Sequence, residues 1–237
     1  MKISFLTMLT VTAVMGALSL VLGNGYMETQ KEIERLEVAK AEERPEIDPY
    51  VLELDEHIDK LPDGYIVSGN VNFQEAKVLA DALYEESDGN FKYDWGLLLS
   101  LEAQKRDIDP HVVYELLRVE TGDTFDPSLV GPETRYGHAY GMAQFMKNTG
   151  PWVAEMAELP YKHEYLFDPH YAIQLSVTYL EYLYGEYGDW DHALTAYHRG
   201  MGGLNQYIRE NGHARSWYAE EIQEKAEALV TFVDDQN

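Results

Sequence analysis

The chain has 237 residues, 45% hydrophobic and 12% aromatic, enough for a sizeable core and incompatible with global disorder. Forty-two Asp and Glu against 18 Lys and Arg leave a formal charge of −24, which excludes a broad cationic patch for nucleic acid or an anionic membrane surface. Cysteine is absent, and with it disulfides, zinc–thiolate sites, iron–sulfur clusters and thiol nucleophiles.

Ile3 to Leu22 is an uncharged run of about twenty residues behind Lys2, close to the length that spans a hydrocarbon core. A cleaved signal has a shorter apolar stretch and a small-residue cleavage site, and Val21-Leu22-Gly23 matches that site poorly. Residues 1–24 are therefore expected to be a membrane anchor, with a signal peptide as the alternative, and everything beyond Gly23 to lie on the extracytoplasmic side. From Met27 to Asp63 there are 13 acidic and five basic residues, interrupted by Pro45, Pro49 and Pro62. Lys40 and Glu43 stand where a heptad needs apolar residues, so residues 25–70 read as an acidic spacer and not a coiled coil.

Beyond Asn70 the periodicity is helical. Val71 to Glu86 carries Ala76, Leu79, Ala80 and Leu83 on one face, and Tyr93 to Lys105 carries Leu97, Leu98 and Leu101. Asp109-Pro110 supplies an N-cap and a first-turn proline for a helix that ends at Thr121 before Gly122. Asp168-Pro169 opens another, bearing Ile173, Val177, Leu180 and Tyr184; Trp190 to Arg199 ends at Gly200, and a last helix covers Ala214 to Val233. No alternating run is long enough for a sheet, so residues 71–237 are expected to form one all-α domain.

On the helix from Pro110, the apolar face Val113, Leu116 and Leu117 is continued by Glu120. A carboxyl group where core meets solvent has its pKa raised by desolvation, which suits a general acid. A glutamate marking a helix end in water is the plainer reading of that position alone. Downstream come Phe125-Asp126-Pro127, then Gly141-Met142-Ala143-Gln144, then Ala196-Tyr197-His198-Arg199-Gly200. With Glu120-Thr121 these resemble, in order, the Glu-Ser, Phe-x-Pro, Gly-Leu-Met-Gln and Ala-Tyr-Asn-x-Gly motifs of the soluble lytic transglycosylase catalytic domain, which is related in fold to goose-type lysozymes. The resemblance spans roughly Tyr93 to Tyr207, about half the chain.

The resemblance implies a lysozyme-like fold and cleavage of the β-1,4 bond between N-acetylmuramic acid and N-acetylglucosamine in peptidoglycan. It implies a 1,6-anhydromuramoyl product, with Glu120 acting first as acid and then as base. It implies substrate contacts from Thr121, Gly141, Met142, Gln144, Tyr197 and His198. Tyr140, in the loop beside Gly141, is a groove candidate by position, as is Tyr136. The departures are Thr121 for serine, two extra residues before Phe125, Ala143 with Met142 one place early, and His198 for asparagine. Residue types alone give Tyr197 a core role and Gln144 a turn-capping role as alternatives.

The eight histidines make no i, i+4 pair and no calcium loop or phosphate-binding glycine loop is visible, so neither metal nor cofactor is expected. Two rival functions remain at this level. A hydrolytic muramidase on the same fold needs a second carboxylate, for which Asp123, Asp126 and Glu133 are placed in the following loop, Asp123 foremost. An inactive wall-binding scaffold, tethered within an envelope assembly, needs none.

Overall fold

In the computed structural model the described residues are 61, 62, 65 and 71–236, with side chains described as far as Val233. They fall within a compact unit, Glu56–Asn237. The expected anchor over 1–24 and most of the acidic spacer lie outside the described residues. Among the described residues no helix is long and apolar enough to cross a membrane.

Seven α-helices carry this unit: α1 Phe73–Glu86, α2 Tyr93–Arg106, α3 Pro110–Thr121, α4 Gly150–Met156, α5 Pro169–Tyr187, α6 Trp190–Asn211 and α7 Trp217–Gln236. The cap chemistry holds residue by residue. Asp109 accepts from the His111 N–H at 2.9 Å, Asp168 from Tyr171 at 3.0 Å and Asp189 from His192 at 2.9 Å, each satisfying a first-turn donor. Gly122 and Gly188 close α3 and α5 in the left-handed region, where a Cβ is unfavourable.

Helix α2 is buried on every side from Trp95 to Ala103, which makes it the central helix of the domain. Helix α1 packs on it so closely that a Cβ on Gly96 would lie 2.9 Å from the Ala80 Cα. Glu102 and Arg106, near the C-terminal end of α2, are paired. Glu102 meets the Arg106 Nε at 3.3 Å, and the Arg106 Nη1 donates to Glu181 of α5 at 2.6 Å.

The structure departs from the expected pattern in several places, among them helix α4, which no expected element covered. Helix α1 starts at Phe73, two residues beyond the expected start, because Asn72 is the cap and accepts from the Glu75 N–H. Helix α6 does not stop at Gly200. It breaks there (φ 72°, ψ 160°) and resumes to Asn211, since glycine alone adopts that backbone readily. Helix α7 begins at Trp217, not at Ala214, because Ser216 is its cap: its hydroxyl accepts from the Ala219 N–H at 3.3 Å. Finally, the loop after α3 holds a short antiparallel pair, β1 Ala139–Tyr140 with β2 Phe145–Met146, and later a 3₁₀ turn over His163–Phe167. Two-residue strands leave no alternating signature in a sequence.

Candidate active site

Glu120 ends the inner stripe of α3, after the fully buried Val113, Leu116 and Leu117, and remains partly accessible. Its Oε1 accepts a hydrogen bond from the hydroxyl of Tyr218, on α7, at 2.6 Å. Burial pushes the Glu120 carboxyl up to about 7, and the Tyr218 bond pulls it part of the way back. Near neutral pH the group therefore exists in both protonation states. That is the condition for giving a proton and then recovering one.

Tyr218 is 2% exposed. Burial first, and the charge of Glu120 second, raise its hydroxyl well above the usual phenol range, so it stays a donor. Its position follows from a buried polar junction. Thr195, inside α6, donates to the Ala214 carbonyl at 2.7 Å, and its oxygen lies 2.7 Å from that of Ser216. Ser216 caps α7, and Tyr218 is the second residue of that helix. The sequence reading missed Tyr218. The available signal was a serine cap followed at once by two aromatic residues, but placing the helix start at Ala214 hid it.

Tyr197 comes to the same place from α6. Its ring packs against Phe145 at 5.7 Å and Tyr179 at 5.3 Å between centroids, and its hydroxyl donates to the Ala143 carbonyl at 3.0 Å. Burial, and next the Glu120 charge, hold its pKa well above the usual value, which puts the hydroxyl in the field of the carboxyl group. Tyr197 thus ties the loop before β2 to α6. His198 follows it, exposed, with its ring stacked on Tyr218 at 4.6 Å and 17°. Partial burial, then the neighbouring Arg199, lowers its pKa.

The loop containing Gly141, Met142 and Gln144 is held tightly. Gly141 has φ 72°, and a Cβ there would stand 1.7 Å from the Leu166 carbonyl oxygen, so backbone packing demands glycine. Met142 is fully buried as a core residue. Gln144 donates from Nε2 to the Gly141 carbonyl at 2.7 Å and holds its own turn, with its Oε1 crowding Gly131. Tyr140 is half-buried, edge-on to His163 at 4.4 Å with Lys147 over its ring at 5.3 Å. Tyr136 lies at the tip of the Thr134–Gly137 turn, 65% exposed.

Thr121 is turned away from solvent. Its hydroxyl donates to the Leu117 carbonyl at 2.7 Å and accepts from the Phe125 N–H at 3.0 Å. It closes the bend by which Phe125 enters the aromatic core with Phe91 and Tyr114. The acidic residues of the loop are engaged elsewhere. Asp123 lies 3.2 Å from the Arg118 Nε and 4.0 Å from the Lys225 Nζ, on a seam that also holds Glu115 and Glu86. Asp126 accepts from the Ser128 hydroxyl at 2.7 Å, and Glu133 is exposed. Neither Asp123 nor Asp126 is among the groups that shift Glu120. Among the described residues no cluster of three or more His, Asp or Glu is arranged to hold a metal ion.

The chain is similar to several solved structures, two of which are lytic transglycosylases. One is an inactive mutant of the lytic transglycosylase Slt from Pseudomonas aeruginosa, with 18% identity and a TM-score of 0.48 over 66% of this chain and 28% of that one. The other is the 70 kDa soluble lytic transglycosylase from Escherichia coli, with 19% identity and a TM-score of 0.42 over 66% of this chain and 29% of that one. This chain therefore spans less than a third of the length of either. No curated protein matches its sequence. The family model described as Transglycosylase SLT domain matches residues 98–219, slightly more than half of the chain and including Glu120, Tyr197 and Tyr218. The chain belongs to the transglycosylase SLT domain family.

Proposed function

We propose that this protein is a peptidoglycan lytic transglycosylase in which Glu120 is both the general acid and the general base. The observation that carries the reading is the Glu120 carboxyl group at the end of α3, held by the Tyr218 hydroxyl at 2.6 Å and pushed by burial up to about 7. In the first half-reaction the Glu120 proton passes to the glycosidic oxygen, the bond from that oxygen to muramoyl C1 breaks, and the N-acetylglucosamine side leaves as an alcohol. In the second, the muramoyl C6 hydroxyl bonds to C1 and its proton returns to the Glu120 carboxylate. The balance needs no water and no second carboxylate. Hydrolysis would need a base to activate water, and Asp123, the best-placed residue in sequence, is engaged by Arg118 and Lys225 instead.

Around this acid, Tyr197 and Gln144 hold the loop in which Gly141 and the core residue Met142 form the floor beneath the sugar path. His198 and Tyr140 stand at its rim, and Thr121 orients the segment behind Glu120. The domain works on the extracytoplasmic side, delivered by residues 1–24 as an anchor or signal and carried on the acidic segment 25–70. Product analysis on purified sacculi is the test. The full chain is expected to release muropeptides with anhydro ends, lighter by one water than the reducing ends of a hydrolase, and Glu120→Gln is expected to release none. Reducing ends as the main product would replace this reading with hydrolysis, and undiminished release by the Gln variant would remove Glu120 from the chemistry.

A further inference from the structure

Resting on the reading of Glu120 as the acid, we infer that Trp217 and His198 form an aromatic platform that binds an N-acetylated sugar ring next to the scissile bond. Consecutive residues at the start of a helix point about 100° apart. Tyr218 points inward to Glu120, so Trp217 is sent outward and is 57% exposed, among the most exposed large apolar side chains of the domain. It does not stand alone. His198 lies edge-on to Trp217 at 5.5 Å and face-on to Tyr218 at 4.6 Å, and Trp217 is edge-on to Tyr218 at 5.8 Å. Trp217 and His198 are the exposed members of this chain of rings, and its buried inner member, Tyr218, donates its hydroxyl to Glu120.

A singly exposed aromatic side chain is ordinary, but Trp217 is joined through His198 and Tyr218 to Glu120 and so offers an apolar face beside the reactive group. The occupant of that face is identified by continuity with the reactive group: a glycan strand threaded past Glu120 runs over this rim. A pyranose ring presents a face of axial C–H groups that suits an indole plane, while its hydroxyl and acetamido groups suit the polar edge of an imidazole. Charge favours the same occupant. A chain at −24 gains nothing from long-range attraction to an anionic wall polymer, so affinity must come from short-range contacts of this kind. His198 also has its pKa lowered, first by partial burial and then by Arg199, which favours the neutral ring for stacking.

The test uses the full chain and two probes. A β-1,4-linked tetramer of N-acetylglucosamine, which has no lactyl group, is titrated into the Glu120→Gln variant while tryptophan fluorescence is followed. It is expected to change the emission, and Trp217→Ala in that background is expected to abolish the change. With defined glycan strands as substrate, Trp217→Ala is expected to raise KM about tenfold with kcat within about twofold, and Trp217→Phe to recover most of the loss. Because Trp217 is exposed, the melting temperature of either variant should match the parent. Unchanged KM together with unchanged tetramer binding in Trp217→Ala overturns the platform. Cleavage that survives Glu120→Gln overturns the assignment of the acid instead, and the fluorescence titration still reports on Trp217 independently.

Discussion

At the scale of single residues, the site depends on a carboxyl group kept partly out of water. Glu120 has a folded-state pKa of about 7 against about 4.5 when free, so the native state holds its proton more tightly than the unfolded chain. Its favourable contribution is full below about pH 4.5 and is lost as pH rises through 7. Ionising it in place costs at most roughly 3 kcal/mol, reduced by the solvent that still reaches the group. Glu120→Gln is therefore expected to melt several degrees above the parent at pH 8, with the difference vanishing near pH 4.5, as scanning calorimetry at the two pH values will show. An equal or lower melting point at pH 8 would contradict the burial argument. Tyr218→Phe acts in the opposite sense to the bond it removes. Without that donor the Glu120 pKa rises further, so the alkaline limb of the kcat/KM profile is expected to move to higher pH. The carboxylate formed in the first half-reaction also loses a charge-assisted hydrogen bond, and kcat is expected to fall roughly tenfold.

At the scale of elements, the question is how α3 and α7 are brought together with the right rotation. The junction of Thr195, Ala214 and Ser216 sets the start of α7, and a helix whose first residue is set has every later side chain set with it. Ser216→Ala removes the cap and leaves the Thr195 hydroxyl with one partner fewer in a fully buried spot. It is expected to cost about 1–2 kcal/mol in urea denaturation. Activity should drop even where the variant is fully folded, because Tyr218 is held less firmly. Ser216→Thr should restore both, and full activity in the Ala variant would show that the cap does not position the donor. Lower on the same seam, the Arg118 guanidinium meets Glu86 at 2.7 Å, Glu115 at 3.0 Å and Asp123 at 3.2 Å. Glu115, 1% exposed, is pushed by burial up to about 7, with the Arg118 charge opposing the shift. This network ties α1, α3 and the following loop together, and it explains why Asp123 stays with cations away from the acid.

At the scale of the whole molecule, net charge bears on the proposed substrate, the anionic peptidoglycan wall. A protein at −24 and an anionic wall repel each other at distances beyond contact. Salt screens that repulsion, with a Debye length of about 10 Å at 0.1 M. Pelleting of the Glu120→Gln variant with sacculi is therefore expected to be unchanged or improved on raising sodium chloride from about 50 to about 300 mM, within the range where screening acts. A steep loss would mean that ion pairs to the wall carry the binding.

Legibility in the sequence followed the range of the interaction. Caps at Asp109 and Asp168, the first-turn prolines after them and the stop at Gly122 act over one helical turn, and the structure reproduces all three boundaries. The apolar stripe that delivers Glu120 to the edge of the core is likewise local to α3. The break in α6 went the other way: Gly200 reads as an end from its neighbours, yet the chain resumes as helix after it and buries Leu204 fully. Thr121 illustrates the same limit, since the next residue along from the acid is aimed by the bend to Phe125 and not by its own chemistry. By itself, then, the sequence determined most of the helices, the place of Glu120 at the end of an apolar stripe and the order of the motifs, because each is written in residues within a few positions of one another. Only the tertiary structure decided that Tyr218, 98 positions away, donates to Glu120, that Tyr197 anchors the loop at Ala143, and that Asp123 is taken by Arg118. Those pairings come from how buried helix faces close on each other, and nothing in a local stretch of chain encodes which distant side chain will fill the space.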